Sequence, residues 1–480
     1  MRSDLLGVFP CGNVRRRFKS GFRNVRESFR FPCMAFGCVE TDGLPCVAGS
    51  DNLVGMGAQP AAVSGEAVLS VEGLGVRGDC AGFDGVDTFD AVQRVPVFSV
   101  LREEKDMSYR RWVRVTVLCI FAAMFLLAGV VWLVDPIEIW EAPIIRGFNH
   151  IKPKQVTFLD VWKPFQVQRH AQETIYIGTS RVYVGLRPEE NAYNMGGSSL
   201  SLPDIRECMR FIYSQHIPKK VFIGLDLFQF SRENMAWRQK GFSEERLENF
   251  RKGGTVWLDE AWETSLGMIL YLKQTVRSSF ENRDKQKEWE RGWDVKHGVR
   301  TDVDEKEYYH VLHSYYGKTY TKFDFDPDAL LCLQDILDEA EARGVKVILF
   351  FNPVSVDLLA LQSICGRSGD FQRIKHDLAV LHPVYDFAWA SSLAFDREGV
   401  WLDGSHYHYP IGDRMKASMT GNIDSEICRV LTDETVEMHM REEAELYERW
   451  AAEHSDYIQA LAAAAPEKIP VGTLAQYLGF

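Results

Sequence analysis

The sequence predicts an α/β protein: a three-layer domain around a mainly parallel sheet, preceded by one transmembrane helix. Three observations support this fold class. Short apolar strands alternate with helical segments of about 10–15 residues through the C-terminal part of the chain, which indicates parallel strands joined by helical crossovers. Several strands are continuous apolar runs, as expected when both faces of a sheet are covered. One apolar run of about 20 residues precedes them, long enough to cross a bilayer.

The predicted strands and helices follow in a regular order. Apolar and β-branched runs predict four strands, at 173–178, 219–227, 345–354 and 383–387. Apolar residues at helical spacing predict three helices, at 204–216, 328–343 and 371–381. These segments predict an α/β domain over residues 135–433. Within it, residues 231–324 are rich in charged and aromatic side chains without alternation, and we interpret them as an insertion over the sheet. Residues 434–480 predict a C-terminal tail that is helical to about residue 465, with the last 15 residues indeterminate.

The first 106 residues differ in composition from the rest of the chain. They contain none of the 12 Trp, 17 Tyr or 12 His, and no apolar period persists in them. Two interpretations remain open. One is a disordered leader. The other, which we favour, is untranslated DNA read through from a start placed too far upstream, because the codons of residues 102–106 can form a purine-rich ribosome-binding site just before Met107.

Residues 115–134 predict the transmembrane helix. Basic residues precede this run and acidic residues follow it: Arg110, Arg111, Arg114, Asp135, Glu138 and Glu141. The positive-inside rule therefore places the C-terminal domain in the periplasm or outside the cell. A cleaved signal peptide is the alternative, but the run is long for one and no small-residue cleavage site follows. We expect a single-pass signal anchor in the cytoplasmic membrane.

Charge and cysteine content exclude two classes of protein. The net charge of −12 argues against general nucleic-acid binding, which requires a basic face. Ten cysteines in 480 residues do not form a disulfide scaffold. Four cysteines of the predicted outer domain are able to pair, in any of three connectivities: Cys208, Cys332, Cys365 and Cys428.

The first candidate reactive group is Ser180, in the Gly-Thr-Ser-Arg turn after the first predicted strand. Functional residues of open parallel sheets cluster beyond the carboxyl ends of the strands. A serine there exposes its hydroxyl beside the N–H groups of the following helix, which can stabilise an oxyanion. The alternative is that Ser180 only caps that helix.

The second candidate site follows the last strand, where Asp403 and His406 lie three residues apart in the sequence DGSHY. On a turn, the carboxylate can fix the imidazole ring while its other nitrogen faces outward. Asp-x-x-His is a common pattern, and a solvated turn is the alternative. Together with Ser180, these residues supply the three side chains of a serine hydrolase triad.

With these motifs the chain resembles the SGNH (GDSL-like) hydrolase superfamily, whose fold is a flavodoxin-like three-layer sheet. It is most similar to the membrane-anchored, extracytoplasmic branch that contains the D-alanylation protein DltD and relatives of the alginate O-acetylation proteins. The resemblance spans roughly residues 135–423. It implies that Ser180 is the nucleophile and that Asp403 and His406 complete the triad.

The oxyanion hole is where the chain departs from the family pattern. The resemblance implies that Gly196 or Gly197 lends a backbone N–H. Soluble family members also carry an Asn as a third donor, whereas Asp226 follows the corresponding strand here, and an ionised carboxylate donates no hydrogen bond. Asp226 then positions another group, or Asn194 or Asn352 supplies the donor, or catalysis is weak.

The resemblance implies an esterase or O-acyltransferase that acts on ester-linked acyl groups of cell-envelope or secreted polysaccharide. A non-catalytic SGNH-like binding subunit of an envelope polysaccharide assembly is the alternative. Arg181 is a candidate contact for an anionic substrate or, equally, a surface residue. The expected partners are an envelope glycan and a membrane acyltransferase, and we expect no metal, cofactor or nucleic acid. His310 and His313, among several tyrosines, suggest metal ligands or a sugar-stacking platform, but we prefer an amphipathic surface of the insertion.

Overall fold

A computed structural model describes residues 109–465, apart from residues 301 and 304; the predicted leader and the last 15 residues lie outside this part of the chain. The strands in the described part are β1 Thr174–Ile177, β2 Ala192–Asn194, β3 Lys220–Leu225, β4 Trp289–Glu290, β5 Trp293–Asp294, β6 Lys346–Phe351, β7 Val384–Asp386 and β8 Arg429–Leu431. Six of them form one sheet in the order β2-β1-β3-β6-β7-β8. Its first five strands are parallel and β8 is antiparallel.

The helices are numbered in chain order. Before β3 lie α1 Tyr109–Val134, α2 Leu159–Arg169, α3 Ser180–Gly185 and α4 Leu202–Gln215. Between β3 and β6 lie α5 Arg232–Ala236, α6 Glu244–Lys252, α7 Gly254–Gly267, α8 Leu272–Glu281, α9 Val295–Gly298, α10 Glu305–Ser314 and α11 Asp328–Glu341. After β6 lie α12 Val356–Ile364, α13 Ser368–Leu381, α14 Ser392–Phe395, α15 Arg397–Val400, α16 Tyr409–Thr420, α17 Val436–Glu453 and α18 Ser455–Ala464. Four 3₁₀ turns and one π-helical segment complete the described part: Gln155–Phe158, Leu227–Phe230, Lys240–Phe242, Ile269–Tyr271 and the π segment Tyr315–Tyr320.

The sheet is doubly wound, and the predicted α/β class with a mostly parallel sheet is confirmed. Counted along the chain, the five parallel strands of the main sheet have the order 2-1-3-4-5, which reverses between β1 and β3. The helix α11 packs against α4 and α13 in one layer, and α3 packs against α16 in another. Central strand residues such as Ile175, Ile223 and Leu349 are completely buried, which explains their continuous apolar sequence.

Elements that the sequence analysis did not predict are short or lie in the insertion. β2 and β8 contain three residues each, too few to show an apolar period. Residues 231–324 contain α5 to α10 and a small antiparallel hairpin of β4 and β5. The hairpin strands have two residues each and turn at Arg291 and Gly292, both with positive φ.

The helix α1 is long and apolar enough to cross a membrane, with a mean hydropathy of 2.8 over its most apolar window. Most of its side chains are exposed, but Val131 and Val134 in its last turn are buried. The last carbonyls of α1 are hydrogen-bonded by the segment that follows: Asn149 Nδ2 donates to the Leu133 carbonyl at 2.7 Å. The buried Lys152 ammonium donates to the Val134 carbonyl at 3.2 Å. The end of α1 is therefore built into the domain rather than joined by a loose linker.

Cys208, Cys332, Cys365 and Cys428 are free thiols in this structure. Cys208, Cys332 and Cys428 are buried at different places in the core. Burial raises the pKa of Cys332 to about 11 and that of Cys428 to about 12, so both thiols stay protonated at neutral pH. Their packing accounts for them without a disulfide.

Candidate active site

The turn between β1 and α3 presents Ser180 at the carboxyl edge of the sheet. Gly178 enters this turn with a φ of +155°. A Cβ at Gly178 would lie 2.6 Å from the Gly224 carbonyl oxygen of β3, so glycine is needed for the two strand ends to approach. Thr179 is the N-cap of α3. Ser180 is the first residue of this helix, and its side chain is partly exposed. The Ser180 hydroxyl is therefore not the cap of this helix.

A closed turn before α16 holds Asp403 and His406. An antiparallel bridge between Trp401 and Tyr407 closes this turn. Asp403 Oδ1 accepts the backbone N–H groups of Ser405 and His406, at 2.8 and 2.9 Å. These bonds fix the carboxylate against its own backbone and leave Oδ2 free to bind the imidazole ring.

The two turns bring the three predicted side chains into one hydrogen-bonded chain. His406 Nδ1 lies 2.7 Å from Asp403 Oδ2, and His406 Nε2 lies 2.8 Å from Ser180 Oγ. A carboxylate only accepts, so Nδ1 carries the proton and Nε2 accepts from the Ser180 hydroxyl. Both distances are within the range that a general base requires. This arrangement can activate Ser180 as a nucleophile.

The two charged partners shift each other's pKa in opposite directions. Burial would raise the pKa of Asp403, but the charge of His406 and the hydrogen bonds from its ring and from two backbone N–H groups outweigh burial and lower this pKa to about 2. Burial would lower the pKa of His406, but the charge and hydrogen bond of Asp403 outweigh it and raise this pKa. Asp403 is therefore ionised at neutral pH and holds the imidazole in one tautomer.

The raised pKa of His406 predicts how the reactivity of Ser180 depends on pH. Only the neutral ring accepts the Ser180 proton, so reactivity is full above the His406 pKa and is lost as the pH falls through it. We expect the rate of Ser180 labelling by a phosphonate to have one midpoint, above the ordinary histidine pKa of about 6.5. In Asp403→Asn the pKa of His406, followed by the NMR signal of its ring, should fall, because the group that raises this pKa is removed. A parent midpoint below the ordinary value would contradict the Asp403–His406 pair.

The predicted oxyanion donors already have partners in the protein. The Gly196 N–H donates to Asn194 Oδ1 at 3.0 Å, and the Gly197 N–H donates to the Gly178 carbonyl at 2.9 Å. Asn194 Nδ2 donates to two carbonyls at the C-terminal end of α3, both at 2.8 Å. Among the described residues no acceptor binds the backbone N–H of Ser180, which is therefore the donor available to an oxyanion.

Asp226 binds Arg181 and not an oxyanion. Arg181 Nη1 lies 2.8 Å from Asp226 Oδ1, and the two side chains are only 4% and 2% exposed. Asp226 Oδ2 accepts the Thr179 hydroxyl, and Asn352 Nδ2 lies 3.3 Å from the same oxygen. Asn352 Oδ1 in turn accepts the Tyr407 hydroxyl at 3.0 Å. Asp226 thus binds both neighbours of Ser180 in the sequence, Thr179 and Arg181. The positive charge of Arg181 is neutralised by this buried carboxylate.

The sequence analysis did not predict the roles of two residues that support this site, Lys163 and Tyr315. Lys163 of α2 is completely buried, and its ammonium donates to three backbone carbonyls, two of them in the loop 194–196. Burial lowers the pKa of Lys163 well below its ordinary value. The Tyr315 hydroxyl accepts from Arg181 Nη2 at 2.9 Å. Neither residue belongs to a local motif, so only the fold reveals its role.

A cavity of about 280 Å³ is lined by residues of the segments 199–237 and 318–323, and none of them belongs to the turns that hold the triad. Phe228 lines it and makes an edge contact with Tyr315, their ring centroids 6.3 Å apart. The exposed Trp237 and the side chains of Lys318 and Lys322 also line it. Its volume is near the lower limit for pockets that hold small ligands, about 300 Å³.

The remaining candidate residues, His310 and His313, lie on α10. His313 Nδ1 lies 3.0 Å from the Ala465 carbonyl, and the buried Tyr308 donates to Asp357. His310 is exposed on α10. Within the described ranges, no group of three or more His, Cys, Asp or Glu side chains is placed to hold a metal ion.

No family model matches the chain, and no curated protein matches it. Functional inference therefore rests on the geometry of the site.

Proposed function

We propose that this chain is a serine esterase or O-acyltransferase in which Ser180 is the nucleophile, His406 the general base and Asp403 the group that orients the base. The observation that carries this proposal is the pair of hydrogen bonds, 2.8 and 2.7 Å long, that joins the three side chains. The same geometry recurs on unrelated folds whose common chemistry is acyl transfer.

The proposed reaction proceeds through an acyl-enzyme. His406 Nε2 takes the Ser180 proton as Oγ attacks the carbonyl carbon of an ester, and the carbonyl electron pair moves to oxygen. The Ser180 N–H stabilises this oxyanion until it collapses. The leaving alkoxide then departs with the proton from His406, leaving an ester on Ser180. Water or a sugar hydroxyl next gives its proton to His406 and attacks this ester. His406 returns the proton to Ser180 Oγ as the bond between Oγ and the acyl carbon breaks, which restores the free enzyme.

The oxyanion donors predict how efficient this reaction is. Removing one donor from an oxyanion hole typically costs about 10²–10³-fold in rate. The N–H groups of Gly196 and Gly197 are occupied in the free protein. We therefore expect slow ester turnover unless substrate binding rearranges the loop at 194–197.

The proposed location and substrate follow from α1 and from the resemblance to the SGNH superfamily. Arg110, Arg111 and Arg114 flank the N-terminal side of the apolar run, which favours a cytoplasmic N terminus and an extracytoplasmic domain. A domain held at that surface meets envelope or secreted polysaccharide. We propose acylated glycan as the substrate class and a membrane acyltransferase as a candidate partner that supplies acyl groups.

A second function is favoured by one specific observation. Three of the groups expected to bind an oxyanion are otherwise engaged: the N–H groups of Gly196 and Gly197 and the side-chain amide of Asn194. A site of this kind suits a binding subunit that holds glycan in the cleft without cleaving it. The reactivity of Ser180 separates the two functions.

The test is labelling of the full chain in detergent with a fluorophosphonate, followed by mass spectrometry of the adduct. We expect a single adduct on Ser180, lost in Ser180→Ala and in His406→Ala. Ser405→Ala is the matched control, because the Ser405 hydroxyl also lies near the His406 ring, 3.5 Å from Nδ1. It should keep the label.

The outcomes distinguish the two functions. An adduct on Ser180 that depends on His406 supports the enzyme. A parent that is folded by circular dichroism but acquires no label contradicts it and supports the binding subunit. Screening of acetylated glycans would follow only the first result.

A further inference from the structure

The helices α7 and α8 expose large apolar side chains that a water-soluble protein would normally bury. The fully buried side chains of α7 and α8 are small or polar, namely Ala261, Ser265, Thr275 and Ser279, and one large side chain of α7, Trp257, packs partly buried against the core. Toward the outside, α7 carries an apolar stripe at four-residue spacing, Leu258, Trp262 and Leu266, all exposed. Soluble surface helices show the opposite arrangement.

The turn and helix that follow extend this apolar surface. Leu270, between α7 and α8, is 79% exposed, and Phe280 of α8 is 65% exposed. Ile144 and Ile145, in the segment after α1, are exposed as well. We call the seven exposed residues together the apolar collar: Leu258, Trp262, Leu266, Leu270, Phe280, Ile144 and Ile145. Large exposed apolar patches mark interaction sites.

The apolar collar lies next to the end of α1. The helix α1 packs against both α7 and α8, and the residues buried on it, Val131 and Val134, are in its last turn. Hydrogen bonds tie the same elements to the segment after α1. Ser265 Oγ accepts the Trp140 indole N–H at 2.8 Å. Ser279 Oγ binds the backbone of Ile151 at both its N–H and its carbonyl.

The position of the apolar collar next to the end of α1 indicates what covers it. A helix that crosses a bilayer leaves the hydrocarbon at its end, so elements packed against its last turn lie at the membrane surface. Exposed charged residues of both signs border the collar, among them Asp259, Glu263, Lys273 and Arg277. Apolar faces with a charged border are typical of helices that lie in the interface plane, with Trp, Leu and Phe buried at the headgroup boundary.

We propose that α7, α8 and the turn between them lie in the surface of the membrane that α1 crosses, with the apolar collar inserted among the lipids. The domain then has two attachments to the bilayer: the spanning helix and this in-plane contact. Together with the rigid end of α1, they hold the triad in one orientation relative to the membrane. The inference rests on α1 spanning a membrane and does not depend on the catalytic role of Ser180.

The test uses the full chain in phosphatidylcholine liposomes with the photoreactive residue p-benzoylphenylalanine at one position at a time. Positions 270 and 280 probe the collar. Leu331 and Val380 are the matched controls, because both are exposed apolar residues on helices of the sheet layer. Phe125, exposed in the middle of α1, is the positive control for lipid contact. Mass spectrometry after illumination identifies lipid adducts and protein cross-links separately.

We expect at least about tenfold more lipid adduct at positions 270 and 280 than at 331 and 380, because an interfacial helix places its apolar face at the acyl boundary. Equal adduct at all four positions, with lipid adduct at position 125, would overturn the proposal. So would a cross-link from position 270 to a second copy of the chain instead of to lipid, since the collar would then be a protein interface. A lack of lipid adduct at position 125 would overturn it as well, because the spanning helix would be absent.

Discussion

Replacing Asp403 with Asn is expected to slow acylation of Ser180 by about 10⁴-fold. The Asn oxygen can still accept the backbone N–H groups of Ser405 and His406, so the turn keeps its shape. The Asn amide, however, donates to His406 Nδ1 and forces the proton to Nε2. In that tautomer the ring cannot accept the Ser180 proton. The measurement is the pseudo-first-order rate of fluorophosphonate labelling at a pH above the His406 midpoint.

A matched aspartate separates this effect from a general disturbance of the region. Asp396 caps α15 by accepting the Gly399 N–H at 2.8 Å, close in sequence to the triad turn but without contact to the His406 ring. Asp396→Asn should change the labelling rate by less than about tenfold, since it alters only a helix cap. Similar losses in both variants would show that Asp403 acts through the fold and not through the tautomer of His406.

Replacing Asp226 with Asn is expected to lower the free energy of unfolding by about 3–5 kcal/mol, because it leaves the Arg181 guanidinium buried without a counter-charge. The hydrogen bonds from Thr179 and Asn352 to the same side chain would also be weakened. Urea unfolding of the full chain in detergent, followed by tryptophan fluorescence, measures this loss as a shift of the midpoint at unchanged slope.

The exposed ion pair between Arg232 and Asp324 provides the control. Its two atoms lie 3.0 Å apart, but both side chains are largely exposed, so Asp324→Asn should leave the urea midpoint nearly unchanged. A double variant, Arg181→Met with Asp226→Leu, should recover much of the stability, since neither charge is then buried alone. Equal losses in Asp226→Asn and Asp324→Asn would contradict the role assigned to the buried pair.

The triad could be predicted from the sequence because each of its parts lies in a local pattern. Ser180 directly follows an apolar strand, and Asp403 and His406 lie three residues apart on one turn. The rule that functional residues gather at the carboxyl ends of parallel strands then relates two segments that are distant in sequence. The class of the fold followed from apolar strands and helical spacing for the same reason: both are local signals.

The surroundings of the triad could not be predicted because they depend on contacts between distant segments. The pairing of Arg181 with Asp226 joins the ends of two strands, and nothing in either segment specifies it. Lys163 is far in sequence from the loop that it supports, and it lies in a helix whose residues 162–167 are all buried, so no apolar period marks its position. The occupied N–H groups of Gly196 and Gly197 depend on backbone angles that composition does not reveal.

The separation of 226 residues between Ser180 and His406 also has a consequence for folding kinetics. Loop closure of this length must be completed before the base meets the nucleophile, and sheets dominated by such distant contacts fold slowly. During synthesis Ser180 emerges long before His406, so the early chain carries a serine that is chemically inert. Reactivity is acquired only when the last part of the domain has docked. The rate at which a refolding chain becomes sensitive to a phosphonate therefore reports the final step of folding.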